Sequence, residues 1–282
     1  MDNPDQALQM ILDHLLPLEA EATPVDETCG RLLAEDVTAG VAVVPKGLWL
    51  RPQEIGLFAS SGIRTVPVTP RPRVAILEAR EDSANRAMLV ALVRSIGCPV
   101  EALGVAGTHA ADIEAGMRQA KDAHVFVILT GGGADEGLDL ALTLQRMTVR
   151  ILFGSIPMTP GQNTLFGLGA RKAVFGLSKD PVGALAVSLL FLEPALQKMS
   201  GQTDAQPRIG FAICGKKMKN TLRVRAYEPV RLEAGREGMA ATSVAGRNGP
   251  DLATACRATA FAILEPGCDL KPGDPLSILL AE

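Results

Sequence analysis

The hydrophobic pattern of the first 70 residues predicts a mixture of short helices and strands. Residues 4–18 carry an apolar stripe at helical spacing, which predicts an amphipathic helix. The segment 23–40 favours a short strand, then a helix over Glu27–Ala34, then a strand-like exit. Residues 51–68 favour another short helix, with Pro52 in its first turn.

From Arg73 the pattern changes to short apolar runs that alternate with helical periods. Such runs suit strands that are buried on both faces of a sheet. The expected strands are 73–77, 100–105, 124–130, 149–157 and 173–178, and the expected helices are Asn85–Ile96, Asp112–Lys121, Leu138–Gln145 and Pro181–Met199. This alternation predicts an α/β domain with a parallel-rich sheet covered on both faces, and ligands of such sheets lie at the carboxyl ends of the strands.

A polar, helix-breaking stretch at 200–207 marks a boundary after the longest expected helix. The short alternating stretches that follow it predict a small all-β unit. The sequence therefore predicts three parts: an N-terminal α+β segment over 1–70, an α/β domain over 71–203 and a C-terminal β-domain over 204–282.

The composition leaves this outline unchanged but argues against several classes of function. The chain has 282 residues, of which 47% are hydrophobic and 21% charged, with a net charge of −3. This balance and the scarcity of aromatic residues argue against nucleic acid as a partner. No apolar run is long enough to cross a membrane, and the acidic start does not resemble a signal peptide, so we expect a cytoplasmic protein without a membrane partner. The five cysteines form no CxxC pair, and the three histidines show no metal-ligand spacing.

The strand at 124–130 runs directly into three consecutive glycines, Gly131, Gly132 and Gly133. A glycine run at a strand end makes a tight turn or lets the backbone approach a ligand closely. The spacing is one residue too long for a dinucleotide fingerprint, and no Lys-Ser or Lys-Thr follows as in a P-loop. We prefer a backbone nest for an anion, with Thr130 beside it, although the two acids that follow would repel a phosphate unless they point away or hold a metal.

A second unusual loop, Met158–Asn163, joins an expected strand to the next element without a hydrophobic role. Gln162 and Asn163 can donate and accept hydrogen bonds without a net charge. A plain surface turn explains the loop equally well. If it binds a ligand, its contacts are Pro160, Gly161, Gln162 and Asn163.

A third loop, Ser178–Pro181, precedes the longest expected helix. Asp180 suits the N-cap and Pro181 the first helical position, so capping explains both residues without a function. Capping does not explain Ser178 or Lys179. A lysine beside a helix N terminus opposes the helix dipole, which indicates an anion there.

Acidic residues follow the strand at 73–77, where Glu78, Glu81 and Asp82 lie close together in the sequence. Carboxylates in such a group can bind a metal ion. A solvated loop is the interpretation that we prefer for this cluster.

Several of these stretches together resemble the molybdopterin molybdenumtransferase family, the MoeA and gephyrin E-domain proteins. They are RPRVAIL at 71–77, TGGG at 130–133, IPMTPGQNTLFGLG at 156–169 and AVFGLSKDPVGALAVSLLFLEPALQKMSG at 173–201. The opening LAEDVTA and the tail GRNGPDLATACRATAFAILEPGCDLKPGDPLSILL also resemble family segments. Each piece alone is weak, but the combination is specific and covers most of the chain.

The chain also departs from the family pattern. The family's inserted β-rich domain is absent, because Val44 runs straight into Pro45. The loop after RVAIL lacks the family's TGDEL, and an acid of the family's glycine loop falls on Gly137. Gln162 stands at the family lysine of PGKP, and the family's LPGNP has become LSKDP at 177–181.

The resemblance implies a MogA-like three-layer domain that binds molybdopterin or adenylylated molybdopterin, with molybdate and Mg²⁺ as further candidate ligands. It also implies a homodimer, with other cofactor-biosynthesis proteins or a molybdoenzyme as candidate partners. Three functions are consistent with it: a catalytically degenerate binding protein that acts as carrier, chaperone or sensor; a working molybdenumtransferase with a rearranged site; and a structural protein whose pocket is relict. In the second, Asp139, which matches the last acid of the family's glycine loop, acts with Asp82 and Glu78. We prefer the first, because family acids and a lysine are lost.

Overall fold

A computed structural model of the chain describes residues 3–78, 84–104, 110–130, 140–170, 172–178, 180–235, 238–244 and 251–281, with the backbone alone at Thr130. The helices are α1 (Pro4–His14), α2 (Pro52–Ser60), α3 (Ala84–Ser95), α4 (Ala110–Gln119), α5 (Leu140–Arg146), α6 (Pro181–Val187), α7 (Glu193–Met199) and α8 (Leu252–Arg257). The strands of the N-terminal and central parts are β1 (Glu21–Pro24), β2 (Leu32–Leu33), β3 (Val37–Ala39), β4 (Ala42–Val44), β5 (Thr65–Thr69), β6 (Val74–Glu78), β7 (Val100–Gly104), β8 (Val125–Thr130), β9 (Arg150–Phe153), β10 (Met158–Thr159), β11 (Leu165–Gly169) and β12 (Lys172–Ser178). The C-terminal strands are β13 (Ile209–Cys214), β14 (Met218–Lys219), β15 (Arg225–Gly235), β16 (Gly238–Ser243), β17 (Ala260–Leu264), β18 (Asp269–Leu270) and β19 (Pro275–Leu280).

A six-stranded mixed sheet lies at the centre of the fold, in the order β7-β6-β8-β12-β11-β9. The first four strands are parallel, β11 is antiparallel to β12, and β9 is antiparallel to β11. The sequence predicted the parallel strands but not β11, in which Gly167 and Gly169 lower the strand propensity. These glycines make room for a neighbour, since a Cβ atom on Gly167 would lie 2.8 Å from Val149 Cγ1.

The two faces of the central sheet carry separate cores, which confirms the expected three-layer α/β arrangement. In β8, Val125, Val127 and Leu129 belong to the core that includes residues of α1, α3, α6 and α7. Phe126 and Ile128 belong to the other core, with residues of α4 and α5. Successive strand residues point to opposite faces, so a strand covered on both sides must be apolar throughout, as this run is.

The predicted helix over Glu27–Ala34 is wrong. The chain forms a 3₁₀ turn over Val25–Glu27 and then the short strand β2, in a three-stranded sheet ordered β1-β5-β2. Gly30 has a φ of +71°, which ends any right-handed helix at that point. Leu33 is fully buried in the N-terminal core. Burial of this leucine by tertiary contacts therefore outweighs the helix propensity of the segment.

The C-terminal sheet has six strands in the order β10-β15-β16-β13-β19-β17, and β15 also pairs with β17. This second pairing closes five of the strands into a ring, in keeping with the expected all-β unit. Strand β10 comes from the loop between β9 and β11 and runs parallel to β15. The loop that carries the Met158–Asn163 motif therefore also contributes to the C-terminal sheet.

The longest predicted helix, Pro181–Met199, is continuous and contains a π-helical turn over Ser188–Leu192 between α6 and α7. Pro194 lacks an N–H donor, which is consistent with the wider turn directly before it. By length and composition this helix could cross a membrane, but 83% of its apolar window is buried inside the molecule. It packs as a core helix of the central domain.

Candidate functional site

Three parallel strands end side by side at the carboxyl edge of the central sheet. Glu78, the last residue of β6, pairs with Leu129 of β8, and Thr130 of β8 pairs with Ser178 of β12. The structure therefore brings the candidates Glu78, Thr130 and Ser178 to one edge of the sheet. Of the other candidates that follow these strands, seven lie outside the described residues: Glu81, Asp82, Gly131, Gly132, Gly133, Asp139 and Lys179.

The Glu78 side chain is buried at this edge of the sheet. The residue is 3% exposed, and its Oε2 atom has no partner within the described part of the chain. An isolated buried carboxylate costs several kcal/mol unless a cation, a hydrogen-bond donor or a proton compensates it. The sequence interpretation as a solvated loop residue is therefore wrong for Glu78, because the side chain is enclosed.

The loop between β9 and β11 is held in a compact conformation by its own hydrogen bonds. The Ile156 N–H donates to the Gln162 carbonyl at 2.9 Å, and the buried Thr164 hydroxyl donates to the Gly161 carbonyl at 2.7 Å. The Thr159–Pro160 peptide bond is cis. The side chains of Gln162 and Asn163 are exposed, so this loop presents neutral polar groups on a fixed backbone.

The first turn of α6 lies directly against this loop. A Cβ atom on Gly183 would lie 3.2 Å from the Gly161 nitrogen, and one on Gly161 would lie 2.5 Å from Val187 Cγ2. Gly161 has a φ of +100°, which an L side chain rarely adopts. The structure therefore joins the predicted loop Pro160–Asn163 to the predicted helix start at Asp180, although the two are apart in sequence.

The Asp180 side chain caps α6, as its residue type predicted. Its carboxylate oxygens accept hydrogen bonds from the Val182 N–H at 3.3 Å and the Gly183 N–H at 2.9 Å. A negative charge at this point is favoured by the helix dipole. Among the described residues, the Asp180 carboxylate therefore supplies the negative charge at this helix N terminus.

The described part of the site offers little to a metal ion. Within the described ranges, no three His, Cys, Asp or Glu side chains are grouped so that they could hold one. Glu78 supplies one carboxylate, and a metal site here would need Asp82 or Asp139 as well. Burial raises the pKa of the Cys98 thiol, just before β7, to about 11 and that of Tyr227 in β15 to about 12.

Two residues that position the loop, Thr164 and Gly183, were not among the residues predicted from the sequence. In the sequence, Thr164 follows a polar tripeptide and resembles any loop threonine. Its buried hydrogen bond therefore could not be inferred from the neighbouring residues. Gly183 did leave one, because a glycine in the first turn of a helix costs stability and therefore indicates a close contact. The contact partner, Gly161, is visible only in the tertiary structure.

Comparison with known proteins finds similarity to molybdenum cofactor biosynthesis proteins. A family model described as "Probable molybdopterin binding domain" matches residues 74–198, which include the central sheet and α6. The molybdopterin molybdenumtransferases of Staphylococcus aureus strains MRSA252 and MSSA476 are each 30% identical to the chain over 196 residues, covering 63% of this chain and 46% of the relative. The chain spans about half the length of the curated relatives it matches.

Solved structures share the fold over nearly the whole chain. A molybdenum cofactor biosynthesis protein from Pyrococcus furiosus superposes with a TM-score of 0.75 and 23% identity, covering 99% of this chain and 98% of that one. A molybdopterin biosynthesis MoeA protein from Pyrococcus horikoshii OT3 superposes with a TM-score of 0.74 and 19% identity, covering 99% and 100%. At these identities the likeness shows a shared fold.

Proposed function

We propose that this chain is a MoeA-like protein of molybdenum cofactor biosynthesis that binds molybdopterin, or adenylylated molybdopterin, without inserting molybdenum efficiently. The ligand lies at the carboxyl edge of the central sheet. Its terminal phosphate contacts the backbone of Gly131, Gly132 and Gly133, directly after β8. The ligands of open α/β sheets lie at this edge, which supports the location.

Three groups of described residues support this placement, because they meet at the same edge. Thr130 and Ser178 are neighbours in the β8–β12 ladder, so the glycine run begins beside the loop that starts α6. The loop at 160–163 rests on the first turn of α6. A bound pterin would therefore contact the strand ends, the exposed amides of Gln162 and Asn163, and the α6 start.

The position of the Asp180 carboxylate is the observation that supports the proposed loss of molybdenum insertion. It occupies the N–H groups of Val182 and Gly183, which would otherwise be available to an oxyanion. The exposed Gln162, at the position where the resemblance places a lysine, is neutral. Insertion of molybdate brings an oxyanion next to a phosphate, and positive charge is needed to balance both. With a carboxylate here instead of a positive charge, the site favours binding of a single phosphate over binding of molybdate beside that phosphate.

A protein that binds the pterin and does not turn it over would act as a carrier, chaperone or sensor. In this proposal the chain is a cytoplasmic homodimer built from the three parts at 1–70, 71–203 and 204–282. Its protein partners would be other cofactor-biosynthesis proteins or a molybdoenzyme.

The Oε2 atom of Glu78 has no partner among the described residues, which favours a second candidate, an active molybdenumtransferase with a rearranged site. Here Glu78, Asp82 and Asp139 hold a divalent cation such as Mg²⁺, which supplies the positive charge that the lost lysine no longer provides. The buried carboxylate would then be neutralised by the cation rather than by a proton.

A single-turnover assay tests the proposal against this candidate. The purified full chain is incubated anaerobically with adenylylated molybdopterin, molybdate and Mg²⁺, and protein-bound pterin, released AMP and pterin-bound molybdenum are measured. We expect stoichiometric bound pterin with neither AMP release nor molybdenum incorporation above the protein-free rate. Turnover that Glu78→Gln abolishes would contradict the proposal and support the second candidate. Absence of bound pterin would contradict both, leaving a structural protein with a relict pocket.

A further inference from the structure

A basic cavity lies at the opposite edge of the central sheet, where the parallel strands begin. Its volume is about 650 Å³, and its lining includes residues directly before or at the start of β6, β8 and β12. Strands of this length span about 17 Å at about 3.3 Å per residue, so this cavity is well separated from the carboxyl edge. The basic lining residues are Arg31, Arg71, Arg73, Lys121, His124 and Lys172.

The lining carries an excess of positive charge. Five Lys and Arg residues face two carboxylates, those of Glu21 and Asp122, whereas the chain as a whole has a net charge of −3. Glu21 is paired with Arg31 at 2.9 Å. The remaining cations are therefore balanced only by Asp122 among the lining residues. A concentration of like charge in a cleft focuses a positive potential and attracts anions.

Arg71 is a fixed cation in this cavity. Its guanidinium donates to the Ile96 carbonyl and to the Gly30 carbonyl, each at 2.6 Å. A Cβ atom on Gly97 would lie 1.2 Å from the guanidinium, so only glycine at that position leaves room for it. The two carbonyls that orient Arg71 are neutral, so they do not cancel its positive charge. Arg71 therefore adds to the positive potential that attracts an anion.

His124 and Lys172 supply hydrogen-bond donors at the strand starts. The backbone N–H of Arg73 donates to His124 Nδ1 at 3.0 Å. The proton of the neutral ring therefore lies on Nε2. The Lys172 ammonium lies 5.2 Å from the centre of the Phe126 ring and donates to the Lys121 carbonyl. Burial lowers the pKa of His124, as do the charges of Arg73 and Lys172, whereas Asp122 acts in the opposite direction.

A second, more apolar cavity of about 750 Å³ adjoins the basic one. The two share Pro70, His124, Ala170 and Lys172, so they form one groove with a basic half and an apolar half. Leu16 lines the apolar half and is 77% exposed. The other apolar lining residues include Leu15, Leu168 and Met199.

We propose that this amino-edge groove binds a small phosphate ester, with its phosphate in the basic half and an apolar or aromatic body in the apolar half. Arg73, Lys172 and the His124 Nε2–H contact the phosphate, and Leu16 covers the body. Cavities of this volume are typical of small-molecule sites, which favours a small ligand over an extended acidic peptide. The site is independent of pterin binding at the carboxyl edge.

Titration with 1-naphthyl phosphate tests the groove, with 1-naphthol as the probe that lacks the phosphate. Binding is followed by naphthyl fluorescence on the full chain. We expect the phosphate to bind at least about tenfold more tightly than the naphthol, and inorganic phosphate to compete with it. Equal affinity for both probes, or no competition by phosphate, would overturn the proposal.

Matched charge variants locate the binding. Arg73→Gln and Lys172→Gln should each weaken the binding of 1-naphthyl phosphate about fivefold, and Lys219→Gln, which removes the same charge in β14, should not. Leu16→Ser should weaken 1-naphthyl phosphate and leave competition by inorganic phosphate unchanged. Equal effects of Lys219→Gln and Arg73→Gln would mean that net charge alone drives the binding and would contradict the site.

A variant that fails to fold is recognised by its thermal unfolding curve, and an NMR titration of wild-type His124 then decides the question. Phosphate bound beside Nε2 should raise the pKa of this ring. An unchanged ring pKa at saturating 1-naphthyl phosphate would contradict the proposed contact.

Discussion

The backbone nitrogen of Gly161 lies 3.2 Å from the point that a Cβ atom on Gly183 would occupy. The same Cβ would lie 2.6 Å from Asp180 Oδ2, which caps the helix by accepting the Gly183 N–H. One glycine therefore permits two arrangements at once: the loop at 160–163 packs on α6, and Asp180 keeps its capping geometry. The shape of the carboxyl edge depends on this contact.

Gly183→Ala should destabilise the protein by about 1–3 kcal/mol, because the new methyl group displaces the Asp180 cap and the Gly161 loop. Urea unfolding followed by circular dichroism measures the change. Gly56→Ala in α2 is the matched control, since nothing lies within 4 Å of its Cβ position. It should leave the free energy of unfolding unchanged or raise it by up to about 1 kcal/mol. Equal losses in the two variants would contradict the packing argument.

Asp180→Asn should keep the cap and remove the negative charge beside the proposed ligand. The single amide oxygen can still accept the shorter of the two hydrogen bonds, from the Gly183 N–H, so we expect the free energy of unfolding to change by less than about 0.5 kcal/mol. Affinity for the anionic pterin should rise about threefold or more, measured by pterin fluorescence titration. Asp180→Ala, which loses the cap, should cost about 1 kcal/mol of stability. Weaker pterin binding by Asp180→Asn would show that the carboxylate itself contacts the ligand.

Most of the central fold was predictable, because its signal is local. Residues 125–129 of β8 are apolar at every position, and the structure buries alternate residues in two different cores. The error over Glu27–Ala34 and the missed strand β11 have the opposite cause. In both places tertiary packing decides the conformation of glycines or short apolar pairs. The residues that pack against Leu33 and Gly167 cannot be inferred from the local sequence.

The candidate site was predictable in part. The cap at Asp180 follows from its residue type, and the shared strand edge follows from parallel topology. The burial of Glu78 could not be inferred, because an acid at a strand end is most often solvated. The basic groove also escaped the sequence analysis, since Arg31, Arg73 and Lys172 are distant in sequence and converge only when the strand starts align.

The first helix is tied to the C-terminal sheet by Asp5 and Arg225. The guanidinium of Arg225 donates to both Asp5 oxygens, at 2.7 and 3.0 Å, and this pairing raises the pKa of Arg225. Asp5→Asn should lower the free energy of unfolding by about 1 kcal/mol, since Arg225 is half-buried but Asp5 is exposed and partly screened by water. Added salt should reduce the difference between the two proteins. If Asp5→Asn changes the free energy of unfolding at low ionic strength by less than the experimental error, that result would contradict a structural role for this ion pair.

His124 should make the protein less stable in weak acid. Burial and the nearby charges of Arg73 and Lys172 lower the pKa of this ring in the folded state, whereas Asp122 acts in the opposite direction. Below about pH 6.5 the unfolded chain therefore binds more protons than the folded chain, and stability falls as the pH drops. The side chain introduced by His124→Asn can still accept the hydrogen bond from the Arg73 backbone N–H. In urea unfolding, this variant should lose less free energy of unfolding between pH 7.5 and about 5.5 than the wild type does. A slope unchanged by the substitution would contradict this assignment.

The most direct test of the account is an anaerobic equilibrium titration of molybdopterin into the full chain, followed by pterin fluorescence. Gly132→Asp places a carboxylate in the proposed phosphate nest, and Gly56→Asp places the same side chain on an open face of α2. We predict saturable binding by the wild type and by Gly56→Asp, and at least about a hundredfold weaker binding by Gly132→Asp, with all three proteins folded. Undiminished binding by Gly132→Asp would show that the phosphate lies elsewhere and would contradict the central claim.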